Sequence, residues 1–508
     1  MHRSGTPGAR PLARGRSARA RQAPGAGVVA PAVCDRTAVS RLYHLDWEDG
    51  MEWRAGRLWP KNVATAASFK SPVASKCVPM TRFAVVCPPY YSHLRLFETL
   101  AAELVRRGHT IHFIVNGGAA GMIAEAPGIV VHEVGRRSRD DLDRLTTRAA
   151  AGGGPLSVLR TVRDSARLTD ELCRGAPALC RDLRIDAIIG DQMEPGAGLV
   201  ASHLRLPLVS VASALPVHDD PSVPLPFLGW PYDASEAGLK RNRGGVMVAD
   251  LLLARQNRTI ARWAETFQLS ERRSLADCLS PTCQIGQMVD SFDFPRQPSP
   301  VRHGVGPIRP MRGGAPTLPI RRDPVRPLVF ASFGTLQGHR LRLFRRIAEA
   351  CRLVGADCVV AHCGRLGPSE AATIDAALVT DFVPQQAMLR EADVCVTHAG
   401  MNTVLDALEA GKPMLAMPMA FDQPGVAARI VHHGVGERLT RGHLSVRSIA
   451  SRLERLLIQA SFTDNARRIG NDVARAGGSA LAADLIEAAL KASMGEERPE
   501  GHGMHGRH

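Results

Sequence analysis

Two stretches of alternating strand and helix patterns constrain the fold of this 508-residue chain most strongly. Short apolar runs alternate with amphipathic segments, an order that predicts parallel sheets covered by helices. The first set predicts strands at 82–87, 110–115, 186–190 and 208–212 and helices at 94–107 and 195–204. The second set predicts strands at 327–332, 357–362, 393–397 and 413–417 and helices at 339–354, 401–410 and 423–433. We expect an α/β fold of two doubly wound, Rossmann-like lobes whose strand carboxyl ends face a shared cleft.

The first 79 residues differ in composition from the rest of the chain. The first thirty contain six Arg and no Asp or Glu, and their high content of Ala, Gly and Pro cannot bury enough apolar surface to fold alone. We expect 1–79 to be a disordered basic extension, or a segment that is not translated because Met80 is the true start. A transit peptide is the alternative, since such peptides are rich in Arg and poor in acids.

Stretches rich in Pro, Gly and polar residues predict the remaining boundaries. Residues 301–326 have the composition of an interdomain linker. We therefore expect an N-terminal lobe at 80–300 and a C-terminal lobe at 327–490. The polar, Gly- and His-rich end, 491–508, is predicted to be a disordered tail.

The charge and cysteine content exclude several classes of protein. The net charge is +15, but residues 1–80 alone hold 13 Lys/Arg against 5 Asp/Glu. No basic stripe with interleaved aromatics and no zinc-finger spacing accompanies this charge, so nucleic-acid binding is disfavoured. Eleven Cys without a C-x-x-C pair indicate buried, reduced thiols in the cytoplasm. No run approaches the ~20 apolar residues of a membrane span, which leaves peripheral contact with an anionic inner membrane surface as a hypothesis.

The turn His-Ala-Gly-Met-Asn-Thr at 398–403 follows a predicted strand and opens a helix. The exposed N–H groups and the positive end of the helix dipole meet there, so the turn predicts a site for an anion such as a diphosphate. The residues at this turn that could hold the anion are His398, Gly400, Asn402 and Thr403. The alternative is an ordinary helix start with Asn or Thr as N-cap.

Residues around this turn could hold the other parts of a nucleotide sugar. Asp406 lies one helical turn beyond Asn402, where it could accept ribose hydroxyls. Phe382 and Gln385 precede the predicted strand at 393–397, which leads into this turn, and could offer a ring and an amide to a nucleobase. Asp422 and Gln423 follow the next strand and suit the hydroxyls of a sugar. Neither lobe has G-x-G-x-x-G after its first strand, and no Walker A sequence appears. We predict a nucleotide sugar as co-substrate, with no cofactor and no metal.

The N-terminal lobe carries a predicted acid–base pair. His93 ends the run Pro-Pro-Tyr-Tyr-Ser-His after the first strand, and Asp191 ends a later strand of the same set. A carboxylate on one imidazole nitrogen fixes the tautomer and leaves the other nitrogen free to accept a proton from an alcohol. Glu194 is a second candidate for this orienting role. A histidine that merely packs in the loop is the alternative.

The chain resembles the nucleotide-sugar-dependent glycosyltransferases of the two-Rossmann-lobe (GT-B) type, and within them the bacterial zeaxanthin glucosyltransferases of carotenoid biosynthesis. The similarity covers roughly 82–490. Its motifs are Pro-Pro-Tyr-Tyr-Ser-His at 88–93, Asp-Gln-Met-Glu-Pro-Gly-Ala at 191–197, Ser-Val-Ala-Ser-Ala-Leu-Pro at 210–216, Phe-Asp-Phe-Pro-Arg at 292–296, Phe-Gly-Thr at 333–335, the turn at 398–403 and Ala-Phe-Asp-Gln-Pro-Gly at 420–425.

This resemblance implies a role for each matching residue. His93 would be the general base and Asp191 its partner. The C-terminal lobe would hold UDP-glucose through the residues already named, and the resemblance adds Ser332, Gly334 and Thr335 over the phosphates. Many relatives have Trp in place of Phe382 and Glu in place of Asp406, which leaves the choice among UDP, TDP and GDP open. The implied reaction is an inverting transfer of glucose to a carotenoid hydroxyl, without a metal.

The acceptor is the least constrained part of the prediction. Candidate walls of an apolar acceptor pocket lie in the Pro-rich stretch 214–235 and are Phe227, Leu228, Trp230 and Tyr232. Ordinary loop packing explains them nearly as well. Another lipophilic alcohol, such as a sterol or a polyketide aglycone, is an alternative acceptor. A nucleotide-sugar epimerase is the competing reaction class, and a non-catalytic nucleotide-sugar sensor is the third alternative.

Overall fold

A computed structural model describes residues 51–54, 57–60, 80–151, 155–217, 220–310, 318, 320 and 323–495. The chain divides into two compact units, at 1–76 and 77–508. In the first unit, strand β1 (Met51–Arg54) pairs antiparallel with β2 (Arg57–Pro60). This hairpin lies inside the segment predicted to be disordered or untranslated. The rest of that segment is outside the described residues, so the prediction remains open.

The N-terminal lobe of the second unit is built on a parallel sheet of seven strands in the order β5-β4-β3-β6-β7-β8-β9. The four residues 83–86 of the first strand are all buried, as expected for parallel strands covered on both faces. The strands are β3 (Arg82–Val86), β4 (Thr110–Asn116), β5 (Ile129–Val134), β6 (Ala187–Asp191), β7 (Leu208–Ala212), β8 (Gln284–Gly286) and β9 (Arg302–Gly304).

Five helices of the described residues between β3 and β9 accompany this sheet. The first, α1, begins at the cleft side, and its apolar residues every three or four positions bury against the sheet, among them Leu94, Phe97, Leu100 and Leu104. The helices are α1 (Tyr91–Arg106), α2 (Arg139–Ala151), α3 (Pro155–Asp182), α4 (Gly196–Leu204) and α5 (Glu236–Thr266).

The C-terminal lobe has a parallel sheet of six strands in the order β12-β11-β10-β13-β14-β15. The strands are β10 (Leu328–Ser332), β11 (Asp357–Ala361), β12 (Leu378–Thr380), β13 (Val394–Thr397), β14 (Met414–Ala416) and β15 (Gly436–Arg438). The helices are α6 (Gly334–Gln337), α7 (Leu341–Leu353), α8 (Pro368–Ala371), α9 (Gln385–Glu391), α10 (Met401–Glu409), α11 (Gln423–His432), α12 (Val446–Ile458), α13 (Ala460–Arg475) and α14 (Gly478–Gly495).

Both sheets reverse their strand order beside their first strand, which is where doubly wound folds bind ligands. In the N-terminal lobe the reversal lies between β3 and β6, and in the C-terminal lobe it lies between β10 and β13. The predicted fold class is confirmed, and every predicted strand and helix is present with ends shifted by a few residues. In the described part of the chain, no helix is long and apolar enough to cross a membrane.

Within the described residues, the chain passes from one lobe to the other after β9 and again after α13. After β9 it enters the predicted linker, and after α13 it returns, because α14 packs on the N-terminal lobe through Ala482, Ala483, Ile486 and Leu490. The two crossings touch where Gly478 N donates to Val305 O at 2.7 Å. Residues 491–495 of the predicted tail belong to α14, and 496–508 lie outside the described residues.

A buried ion pair joins the lobes elsewhere. Arg429 of α11 is 2% exposed, and its guanidinium donates to Asp293 Oδ1 at 2.8 Å. Arg296 lies 2.5 Å from the other carboxylate oxygen. Burial raises the pKa of Asp293, but the charges of Arg429 and Arg296 lower it more, so the pKa lies below its ordinary value. The Phe-Asp-Phe-Pro-Arg motif at 292–296 is thus part of the junction between the lobes.

Candidate active site

Three polar side chains meet at the switch point of the N-terminal lobe. His93 lies in the first turn of α1, just after β3, while Asp191 ends β6 and Ser213 follows β7. The Nδ1 atom of His93 is 2.7 Å from Asp191 Oδ2 and 2.6 Å from Ser213 Oγ. Ser213 Oγ also donates to Asp191 Oδ2 at 3.0 Å. Because these three strands are neighbours in the sheet, their carboxyl ends bring the predicted pair together and add the serine.

This arrangement suits a general base. Nδ1 of His93 is engaged, which leaves Nε2 as the nitrogen available to an acceptor hydroxyl. Burial lowers the pKa of His93, but the charge and hydrogen bond of Asp191 and the charge of Asp422 raise it, and the pKa lies above 6.5 as a result. A base with a raised pKa accepts a proton more readily, provided that the pH keeps it neutral.

Glu194 does not take the orienting role. Its Oε1 accepts from Thr169 Oγ1 at 2.8 Å and from Gly196 N at 3.0 Å, so the side chain faces α3 and the start of α4. Burial raises the pKa of Glu194 to about 7. The predicted second candidate is therefore a buried structural acid, and Asp191 is the partner of His93.

Two aromatic rings from opposite lobes lie beside the base. The ring of Tyr90 is 5.6 Å from that of His93 and 6.3 Å from that of Phe421, measured between centroids. Phe421 has a φ of 55°, a left-handed conformation that is costly for a bulky residue. The chain holds this ring against Tyr90 despite that cost, and Tyr90 in turn lies next to His93.

In the C-terminal lobe, His398 lies directly after β13 and fits between two glycines. A Cβ on Gly400 would lie 2.5 Å from His398 Nε2, and a Cβ on Gly334 would lie 3.1 Å from Cε1. A side chain at Gly400 would therefore displace the ring, while Gly334 has both a close contact with the ring and a φ of 65° that favours glycine. Ser332, at the end of β10, helps to close the same switch point, because its Oγ donates to Ala361 O at 3.1 Å.

His398 has the properties of an anion ligand. Its Nδ1 atom is buried, and no described residue gives it a hydrogen-bond partner. Burial lowers the pKa of His398 to about 4, so the ring is neutral near pH 7. A ring N–H of this imidazole would donate to a phosphate oxygen at the start of α10, where the helix dipole also favours negative charge.

Asn402, the next member of the predicted diphosphate site, is tied to the other lobe. Its Oδ1 accepts from Gln287 Nε2 at 3.1 Å, and the same Nε2 donates to Ser213 O at 3.1 Å. Gln287 Oε1 in turn accepts from Ile308 N. Gln287 is 2% exposed. One buried amide therefore connects the serine beside the base with the helix of the predicted diphosphate site.

The residues predicted for the base and the ribose also lie together. Asp406 Oδ2 accepts from Gln385 Nε2 at 2.7 Å, and Gln385 Oε1 accepts from Thr403 Oγ1 at 3.3 Å. Arg309, from the predicted linker, forms ion pairs with Asp406 and Glu409. The carboxylate predicted to bind ribose is thus paired with a cation.

Asp422 and Gln423 lie at the start of α11, facing the N-terminal lobe. Asp422 Oδ2 accepts from Leu215 N at 3.1 Å, and the charges of Asp422 and His93 interact. Burial raises the pKa of Asp422. Gln423 Oε1 accepts from Met419 N and Ala420 N, so its amide nitrogen is the atom that could serve a sugar hydroxyl. The predicted sugar subsite therefore adjoins the predicted base.

Thr335 and Phe382 lie farther along the same edge of the C-terminal sheet. Thr335 is in α6, directly after the Gly334 turn, and its carbonyl accepts from Arg365 Nε at 2.6 Å. Phe382 lies half-buried in the loop between β12 and α9, close to Gly364. Both positions are compatible with their predicted roles at the phosphates and the nucleobase.

Comparison with known proteins adds an independent line of evidence. The family described as UDP-glucoronosyl and UDP-glucosyl transferase matches residues 323–471. The chain is 42% identical to a zeaxanthin glucosyltransferase of Pantoea ananas over 417 residues, which is 80% of this chain and 96% of that protein. It is 40% identical to a zeaxanthin glucosyltransferase of Pseudescherichia vulneris, covering 82% of this chain and 99% of that protein. The chain belongs to the same glycosyltransferase family as these two enzymes.

Solved structures confirm the GT-B fold of this glycosyltransferase. A kitacinnamycin glycosyltransferase superposes with a TM-score of 0.63 at 19% identity, and covers 81% of this chain and 99% of its own. A calicheamicin glycosyltransferase gives a TM-score of 0.62 at 21% identity over the same shares. The resemblance inferred from the motifs is therefore confirmed.

A pocket of about 270 Å³ opens beside the Pro-rich stretch of the glycosyltransferase. Three of the predicted acceptor residues, Phe227, Leu228 and Trp230, line it together with α5 residues that include Gly245, Val248 and Leu252. The fourth, Tyr232, is not part of this lining, because its ring stacks on Phe294 and meets His432 edge-on. The pocket wall is joined to the sugar subsite, since Gly425 N donates to Pro226 O at 3.0 Å.

Sequence reasoning missed three residues of this glycosyltransferase site. Ser213 was visible only as part of a motif, although its place after the strand next to β6 could have indicated contact with Asp191. Gln287 and Arg309 carry no local signal, because a single Gln or Arg outside a motif is common on any surface. Their positions depend on the packing of the linker and the two lobes.

Proposed function

We propose that the enzyme transfers glucose from UDP-glucose to the hydroxyl groups of a carotenoid, with inversion at the anomeric carbon and zeaxanthin as the acceptor. The observation that carries this proposal is the position of the His93–Asp191–Ser213 cluster, which lies next to the Asp422 subsite of a donor lobe. The identity of 42% to a zeaxanthin glucosyltransferase supports the choice of acceptor.

The proton and the bonding electrons follow a simple path in the proposed reaction. Nε2 of His93 accepts the proton of the acceptor hydroxyl while the hydroxyl oxygen bonds to the anomeric carbon. The bond between that carbon and the phosphate oxygen breaks on the opposite face, and UDP leaves with the electron pair. Asp191 stabilises the imidazolium that forms. His398 and the start of α10 would meet the charge that develops on the diphosphate.

Several properties support the donor and the location. Asp422 and Gln423 offer an acceptor and an amide donor to glucose hydroxyls, and Gln385 with Asp406 offers the same to a uridine. UDP is proposed over TDP and GDP because the matched family is one of UDP-sugar enzymes. No step of this reaction calls for a metal or a further cofactor. A cytoplasmic enzyme in peripheral contact with the inner face of the membrane would meet both a water-soluble donor and a lipophilic acceptor.

UDP release from UDP-glucose, measured with and without zeaxanthin in detergent, tests this proposal when the pigment products are read by mass. We expect zeaxanthin-dependent release and the addition of one or two hexoses to the pigment. The variant His93→Ala should lower kcat by roughly 10²–10⁴, the range of general-base catalysis. His443→Ala, at an exposed position outside the predicted site residues, is the matched control and should keep full activity.

Two results would contradict the proposal. Slow UDP release that does not respond to zeaxanthin, but rises with a sterol or a polyketide alcohol, would replace the acceptor. A change in the stereochemistry of the sugar without transfer would favour an epimerase.

A further inference from the structure

Helices α3 and α5 run side by side and in the same direction. Gln256 of α5 donates to Thr169 of α3 at 3.0 Å, and Cys173, four residues later in α3, packs in one cluster with Ile260, four residues later in α5. The two helices are therefore parallel to each other over these residues. Their C-terminal ends lead towards the amino edge of the sheet, so their N-terminal halves extend beyond its carboxyl edge, on the cleft side.

These two N-terminal halves carry a cluster of exposed apolar side chains. Seven of the seventeen exposed large apolar residues in the described part of the chain lie within 156–159 and 246–251. Among them, Leu156, Met247 and Leu251 are 71%, 74% and 75% exposed. The register that pairs Thr169 with Gln256 places 156–159 beside the turn of α5 that ends near 246, so the two sets adjoin. Single exposed apolar residues are ordinary, but such a group marks a surface that binds another apolar body. We call this group the α3/α5 patch.

The charges around the patch identify the kind of partner. Residues 156–168 and 236–255 together contain seven Lys/Arg and three Asp/Glu. Of the three acids, Asp164 is buried against Arg148 at 3.0 Å. Apolar side chains surrounded by Arg and Lys are the combination that binds an anionic bilayer, since the apolar groups enter the interface while the cations meet phosphate headgroups.

The patch is continuous with the acceptor pocket. Val248 belongs to both, because it is 60% exposed and also lines the pocket, and Phe227 is an exposed wall of the same pocket. A pocket of about 270 Å³ is smaller than the ~300–1,000 Å³ of pockets that enclose a drug-sized ligand. It can hold one end of a long polyene, and the rest of such a molecule would need to remain in an apolar phase outside it.

We propose that the α3/α5 patch docks on the anionic surface of the bilayer and opens the acceptor pocket directly to the membrane. The enzyme would then take the hydroxyl end of a carotenoid from the bilayer without extracting the whole molecule. This inference rests on the proposed function for the identity of the acceptor, but membrane docking itself can be measured without donor or acceptor.

Sedimentation with vesicles of phosphatidylcholine and phosphatidylglycerol tests the docking step. We expect the full chain to bind these vesicles, and binding should weaken when the anionic lipid is omitted or salt is raised. The double variant Met247→Gln/Leu251→Gln should bind more weakly by roughly ten-fold or more, because two apolar side chains no longer enter the bilayer. The control is Leu353→Gln/Ile458→Gln, at positions that are 60% and 72% exposed on the C-terminal lobe.

Activity measured in two presentations of the acceptor completes the test. The Met247/Leu251 variant should keep wild-type turnover on detergent-solubilised zeaxanthin and lose turnover on zeaxanthin embedded in vesicles. Equal loss of vesicle binding in the variant and the control would overturn the assignment of the patch, as would wild-type protein that binds no vesicles. Analytical ultracentrifugation that shows a dimer abolished by the variant would assign the patch to a second copy of the chain. If the wild-type enzyme binds vesicles but does not act on zeaxanthin in either presentation, zeaxanthin is rejected as the acceptor and the docking surface is retained.

Discussion

The Nε2 atom of Gln287 lies 3.1 Å from the Oδ1 atom of Asn402, and these two residues belong to different lobes. The same Nε2 donates to the carbonyl of Ser213, whose hydroxyl contacts His93. The side chain proposed to accept the proton and the helix proposed to face the diphosphate are therefore connected through one buried amide. One of the contacts that join the two lobes therefore lies next to the proposed general base.

Replacing Gln287 by Met tests this connection, because Met has a similar length and lacks both amide atoms. We expect weaker donor binding, with the KM for UDP-glucose raised by roughly 5- to 100-fold, since Asn402 Oδ1 and the buried Ile308 N lose their partner at a cost of about 1–3 kcal/mol. Steady-state kinetics with varied UDP-glucose gives the answer. Gln459→Met, at an exposed helix end, is the control. An unchanged KM would show that the bridge has no part in donor binding.

The raised pKa of His93 predicts how activity depends on pH. The base must be neutral to accept a proton, so kcat/KM should fall as the pH drops through a pKa above 6.5. In Asp191→Asn the carboxylate charge that raises this pKa is gone. The acid limb of the profile should therefore move to lower pH, while the plateau falls because the tautomer is no longer fixed.

Ser213→Ala separates positioning from charge. It removes the hydroxyl that contacts both His93 and Asp191, two hydrogen bonds each worth about 0.5–1.5 kcal/mol. It keeps the carboxylate, so we expect a modest fall in kcat with an acid limb close to that of the wild type. Both profiles are read from initial rates in overlapping buffers. An acid limb that stays in place in Asp191→Asn would contradict the assigned partner of His93.

The fit of His398 between two glycines makes Gly400 sensitive to a single added methyl group. A Cβ there would lie 2.5 Å from Nε2 and 2.7 Å from Cε1 of His398, so Gly400→Ala must displace the ring. We expect a loss in kcat of roughly 10²-fold, similar to the removal of one group that stabilises developing charge. Gly121→Ala is the control, because no atom lies within 4 Å of its Cβ position. Full activity of Gly400→Ala would remove His398 from the diphosphate site.

The buried pair between Asp293 and Arg429 should matter for stability. In Asp293→Ala the guanidinium of Arg429 stays buried without its partner, which we expect to cost about 3–5 kcal/mol. Thermal unfolding compares this variant with Asp464→Asn, which removes an exposed pair at 3.9 Å and should leave Tm near that of the wild type. Because the pKa of Asp293 is lowered in the folded state, this stabilisation is complete above the ordinary Asp pKa and is lost as the pH falls through the lowered value. A Tm of Asp293→Ala within a degree of the wild type would reject this role.

The parts of the fold that the sequence predicted are those whose patterns are local. Strands buried on both faces, such as β3 and β13, appear as continuous apolar runs, and the turns that follow them carry His93 and His398. The long helix α5 was not predicted, because exposed Val, Met and Leu at 246–251 blur its amphipathic period. The same side chains form part of the α3/α5 patch, so the interruption of the amphipathic pattern coincides with the surface proposed to dock on the membrane.

The parts of the site that could not be predicted depend on contacts between distant segments. Gln287 meets Asn402 across 115 positions of sequence, and Arg309 meets Asp406 across 97. Such contacts follow from how the two lobes pack and leave no trace in residue type or spacing. Asp191, in contrast, could be paired with His93 from the sequence. Asp191 ends one predicted strand and His93 follows another, and a parallel sheet brings the carboxyl ends of its strands to one edge.

The return of α14 to the N-terminal lobe has a consequence for building chimeric enzymes. The donor lobe is a segment inserted between Val305 and Gly478, two positions that touch each other through a 2.7 Å hydrogen bond. An exchange of donor specificity with a relative should therefore graft the inserted segment alone and leave α14 with its original sheet. A chimera joined only at the linker would also exchange α14, whose residues Ala482, Ala483, Ile486 and Leu490 pack on the N-terminal lobe. A folding defect in such a chimera could not be told apart from a change in sugar preference.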